Sequence, residues 1–213
     1  MLLEDFFKHA KNAFIDHKYL FLFTVLFAAF CWIGGYLLAD FLFTPEELVD
    51  YEFLAQETFF SITDMLYIII NNCFVLLIGY IGAIFFGMGP IWSMISNFSD
   101  WGITSRATEL AVGDPFLFMK LTCLHGFFED LALILNSFAG FILFSFIVRF
   151  IKNLFSPSEV LCENTFFNSW KINKKHLYES LVIFVIALFV MIFAGFLEEF
   201  LSVPFGNLLA EIL

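Results

Sequence analysis

Asn72, His125, Glu129 and Glu198 are hydrogen-bonding or ionisable side chains set in long apolar runs, where each needs a partner. His125, Glu129, Ala132, Asn136 and Gly140 recur at spacings of three or four, forming one polar-to-small stripe along a helix. Asn71-Asn72 and Asn97 add amides in neighbouring apolar segments, and Ala187, Ala194 and Glu198 share a later helix face. Carboxylates brought together at low dielectric favour sharing a proton or a cation. The pattern therefore describes a polar cluster for an ion or a partner and singles out no catalytic residue. One histidine beside Glu198-Glu199 is thin for zinc, which usually takes three protein ligands, so any metal is left unassigned. The bland reading is headgroup-level carboxylates, above all Asp130 and Glu199.

The elements that must hold this cluster are membrane helices. No charged residue lies between Asp64 and Asp100, longer than the roughly 20 apolar residues that cross a bilayer core. Hydrophobic residues make up 61% of the chain and Phe alone 34 of 213, too much for a soluble domain to bury. The net charge of −11 argues against nucleic acid as a partner. Cys31, Cys73, Cys123 and Cys162 have neither disulfide nor zinc spacing and read as packing residues. Met1–Asp5 lacks a basic leader, so the first apolar segment reads as an uncleaved span.

Charge-free runs predict an all-α polytopic bundle of about five transmembrane helices: roughly 19–39, 65–86, 90–104, 131–148 and 181–197. Asp114-Pro115 is expected to open an upstream extension of the fourth. Gly87-Met88-Gly89-Pro90 separates the second from the third, which Arg106 and Glu109 shorten. Residues 1–18, with Leu3, Phe6, Phe7, Ala10, Phe14 and Ile15 at helical spacing, form an amphipathic helix on the leaflet. Residues 19–213 form a single membrane domain. Gly79, Ala83 and Gly87 suit close helix packing, and the same stripe could pack a homodimer.

Residues 149–176 are expected as a basic loop, carrying Arg149, Lys152, Lys171, Lys174 and Lys175, whereas 40–64 carries acids and no Lys or Arg. The positive-inside rule makes the N-terminus and 149–176 cytoplasmic, and 40–64 and the C-terminus external, in a multi-pass plasma-membrane protein. Thr44-Pro45-Glu46-Glu47 reads as a capping box opening a solvated external helix. At about 1.5 Å of rise per residue, Asn72 lies about 12 Å in from the outer boundary, with Glu129 and Glu198 near that boundary.

Along these residues the chain resembles the stage II sporulation protein M family of multi-span membrane proteins. The resemblance covers roughly 59–204 and rests on five motifs in order. These are Asn71-Asn72, Phe86-Gly87-Met88-Gly89-Pro90, Asn97, His125-Gly126-Phe127-Phe128-Glu129 and Ala194-Gly195-Phe196-Leu197-Glu198. Phe98 and Asp130-Leu131 depart from the family's glycine and leucine-proline, and Glu199 competes with Glu198 for its last glutamate. The resemblance implies a non-enzymatic component that organises membrane partners in envelope remodelling, because the founding member is similar to a scaffold whose partners hydrolyse peptidoglycan. The alternatives are an ion- or proton-coupled permease using the cluster, and an intramembrane metal hydrolase. No cofactor is expected beyond a bound cation, and the expected partners are the bilayer and other membrane proteins.

Overall fold

A computed structural model describes residues 3–43, 61–155 and 165–202. The amphipathic α1 (Leu3–Asp16) leads at His17 into α2 (Lys18–Leu42). Next come α3 (Ile62–Ile81), a 3₁₀ turn (Gly82–Ile84), α4 (Met88–Val112), α5 (Leu117–Phe155) and α6 (Thr165–Leu197), which ends in a π turn (Glu198–Ser202). Among the described residues the fold is all helical. Four helical stretches are long and apolar enough to cross a bilayer: Lys18–Leu42, Ile62–Ile84, Leu124–Phe155 and Phe166–Ser202. The third segment, α4, is 25 residues long but too polar to join them. It nevertheless runs the length of the bundle. Its leading Gly87 lines a groove with Asp16, His17 and Arg149, and near its far end Arg106 is 2.7 Å from Asp40 at the end of α2.

Two close crossings set the architecture. In α2 and α4 the backbones meet so tightly that a Cβ on Gly35 would strike the Ser99 carbonyl, and one on Gly102 the Trp32 carbonyl. Beyond the crossing, Arg106 binds both Asp40 and Glu109, and Tyr36 donates to Glu109. The turn from α3 to α4 closes on glycine: Gly87 takes a left-handed φ of 73°, and a Cβ on Gly82 would lie 2.8 Å from the Gly89 Cα. Gly79, Ala83 and Gly87 are buried, and Ala83 faces Gly140 of α5. α5 and α6 supply most of the core, in which Leu76, Met94, Phe138, Ile142 and Ile183 are fully buried.

The expected basic loop is mostly helix. Lys152 lies on α5, and Lys171, Lys174 and Lys175 on α6, leaving only 156–164 outside the described residues. Lysine is a good helix former and its ammonium reaches water from a helix side, so these charges do not end the helix. Asp114 caps α5 two residues later than Pro115 suggests: its carboxylate accepts from Phe116 N at 2.8 Å, and α5 starts at Leu117. Lys120, 2.8 Å away, holds the Asp114 carboxyl below the usual carboxylate range, helped by the Phe116 backbone N–H. The external capping box at Thr44-Pro45-Glu46-Glu47 and Cys162 lie outside the described residues.

α1 rests against the bundle by one edge. Ala13 is buried and the Phe14 ring meets Phe21 and Phe138, whereas Leu3, Phe7 and Ile15 stay exposed. Lys175 of α6 grips Asp16 at 2.5 Å and holds its carboxyl below the usual range.

Candidate functional site

Asn72 and Glu129 meet in the bundle. The Asn72 amide nitrogen donates to the Glu129 carboxylate at 2.9 Å, joining α3 to α5. At 1.5 Å per residue, Asn72 lies about 15 Å along α3 from Ile62, well inside an apolar segment. Glu198 and Asp130 lie close enough to act on the Glu129 charge. None of these three carboxylates has a Lys or Arg partner among the described residues. The π turn splits the two adjacent glutamates. Glu198 is half-buried, while Glu199 accepts from the Ser61 backbone N–H at 2.9 Å and ties the end of α6 to the start of α3.

The remaining candidates separate. His125, one turn from Glu129, is half-buried and makes no hydrogen bond among the described residues, its Nδ1 being enclosed. Its neighbour Gly126 sits under the Trp101 ring, which leaves no room for a side chain there. Asn136 is fully buried two turns below Glu129, and neither end of its amide has a partner among the described residues. It faces Gly79, beside the equally unpartnered Ser93 hydroxyl. Asn97 donates to the Ser93 carbonyl at 2.7 Å and lines a groove of about 620 Å³ between α3 and α4. Asn71 points away from the cluster and is exposed, with no hydrogen bond among the described residues.

Several groups escaped the sequence reading. Tyr80 and Ser180 share a buried hydrogen bond of 2.8 Å, and Ser180 donates on to the Ala139 carbonyl at 2.7 Å. At the opposite end from Glu129, His17, His176 and the fully buried Glu179 converge, with Arg149 3.1 Å from His176. The His176–Glu179 spacing of three was a visible signal, but His17 lies 159 residues away and only the fold joins it to them. Among the described residues this is the one group of His, Cys, Asp or Glu close enough to hold a metal; His125, Glu129 and Glu198 are not.

Compared with curated proteins and with solved structures, the chain matches none. The family model described as stage II sporulation protein M matches residues 19–203, which contain α2 from its second residue, α3 to α6 and every residue of the Asn72–Glu129 cluster. The chain belongs to the stage II sporulation protein M family of membrane proteins.

Proposed function

We propose that this protein is a non-enzymatic membrane component that organises partner proteins in envelope remodelling, and that partners dock along α3 and α4. The observation that carries this reading is a mostly apolar groove between α3 and α4, floored by small residues, with the exposed Asn71 amide on the same face of α3. Asn71, Val75, Ile78 and Gly82 follow one face of α3, and the last three line the groove opposite Gly89, Ser93, Ser96 and Asn97 of α4. A groove floored by small residues admits a helix closely, and an outward amide in lipid is costly until another helix bonds it. The occupant is a partner's transmembrane helix with a hydrogen-bonding side chain. A second copy of this chain is the competing occupant. Ser96→Trp fills the groove from an exposed position, so it should abolish co-purification of partners while leaving the detergent melting curve unchanged. Co-purification that survives this change would overturn the reading.

A second reading, an ion- or proton-coupled permease, is favoured by a different observation. Polar groups, half-buried at Asn72 and Glu129 and buried beyond them, descend the interior past Asn136 and Ser137 to Tyr80, Ser180 and Glu179. The unpartnered Asn136 amide suits a water or an ion. This reading expects proton- or sodium-dependent flux in proteoliposomes that Glu129→Gln abolishes, whereas under the scaffold reading Glu129→Gln leaves partner capture intact. In both, the basic end faces the cytoplasm and residues 19–213 act as one membrane domain.

A further inference from the structure

At the basic end of the bundle three potential ligand atoms stand at the corners of a nearly equilateral triangle. His17 Nε2 is 3.2 Å from His176 Nδ1 and 3.3 Å from Glu179 Oε2, and the third edge, His176 Nδ1 to Glu179 Oε2, is 3.2 Å. Each imidazole, neutral or charged, can place at most one N–H on these edges, so three edges share at most two donors, and all three lie at or just beyond the long end of the hydrogen-bond range. An ion bound tetrahedrally at about 2.0–2.1 Å holds its ligand atoms about 3.3 Å apart, which is the separation found.

The triangle is built into the fold. His17 is the residue between α1 and α2, and His176 and Glu179 lie one turn apart on α6. Glu179 is fully buried and His17 nearly so, while His176 is half-buried. A groove of about 680 Å³, with His17 and Arg149 on its wall, gives the site a way in. We propose that His17, His176 and Glu179 form a zinc site with a fourth, open position, which clips the α1–α2 junction to α6. Two histidines and a glutamate are a ligand set that zinc takes where one coordination position is left free. The inference does not rest on either reading of the Asn72–Glu129 cluster.

Arg149 makes the proposal sharp. Its guanidinium lies 3.1 Å from His176 Nε2 and can only donate, so in the metal-free state the neutral ring carries its proton on Nδ1. Zinc at Nδ1 needs the other tautomer, with the proton on Nε2, where it would oppose Arg149. Zinc and the Arg149 contact therefore exclude each other, and the exposed guanidinium must swing away on binding.

The test uses the full chain, purified in detergent, freed of its affinity tag and stripped with chelator, then titrated with zinc chloride against a chromophoric indicator. One zinc should bind per chain. His17→Ala and Glu179→Gln should each weaken binding by at least about tenfold, because even an outer-shell change costs that much. Arg149→Ala should tighten binding, because it removes the contact that holds His176 in the tautomer zinc cannot use. X-ray absorption of the zinc-loaded wild type should show two imidazoles in an all-nitrogen-and-oxygen shell, a readout that holds even where a ligand variant fails to fold. Absence of stoichiometric binding, a shell without imidazole, or weaker binding by Arg149→Ala would overturn the site.

Discussion

Glu129 is held by an amide from another helix, and the consequence of losing that amide can be worked out at the level of single groups. Asn72→Leu removes the donor and leaves a half-buried carboxylate unbonded, which should cost about 1–3 kcal/mol of stability. Asn72→Leu with Glu129→Leu removes both partners and should recover most of that loss, because an absent pair costs less than an orphaned one. Thermal melts of the three variants in one detergent check the cycle, and additive losses would mean that the 2.9 Å bond contributes nothing. The stripe through His125, Glu129 and Asn136 could be read from spacing alone. Its outcome could not: Glu129 finds a donor, Asn136 is sealed in without one, and His125 bonds to nothing among the described residues. Periodicity assigns a face, but the partner on that face belongs to a helix that the period does not describe.

Two adjacent glycines of α2 make opposite predictions about that helix. A Cβ on Gly34 meets nothing within 4 Å, whereas one on Gly35 strikes the Ser99 carbonyl. Gly34→Ala should therefore stabilise the protein, by up to about 1 kcal/mol from helix propensity. Gly35→Ala should destabilise it by about 1–3 kcal/mol, since backbone rather than a flexible side chain must move. Equal shifts in melting temperature would mean that the α2–α4 crossing is looser than described. The start of α5 carries a pH signature. Because Lys120 and the Phe116 N–H hold the Asp114 carboxyl below its unfolded value, their support is complete above the ordinary carboxylate range. It is lost as pH falls through the lowered folded value, so the first turn of α5 should gain amide exchange on acidification, and Asp114→Asn should remove that dependence. The apolar cores of the helices were legible as charge-free runs, but their full lengths were not. α5 and α6 carry Lys152, Lys171, Lys174 and Lys175 on helix beyond the charge-free runs, and charge alone does not say where a helix stops.

For the whole molecule, the two ends differ in chemistry. His17, Arg149, Lys175 and His176 gather at one end, and Asp40, Arg106 and Glu109 at the other. Single cysteines at the exposed Lys171 and Thr63, in a cysteine-free background, should react with a membrane-impermeant thiol reagent from opposite sides of sealed vesicles. Lys171 should be the cytoplasmic one, and reaction of both from the same face would break the arrangement. The α2–α4 crossing also bears on how the chain is made. Among the described residues α2 touches α4 but not α3, so the helix that seals α2 is synthesised only after another has intervened. A newly made α2 must then wait in lipid with Gly35 uncovered. α4, which lacks the hydropathy to enter lipid on its own account, finds in α2 a surface already cut to its backbone. Membrane insertion of α4 should accordingly depend on α2 as a template. An insertion assay on α4 placed after an unrelated first helix should show it failing to enter, and restoring α2 should bring it in.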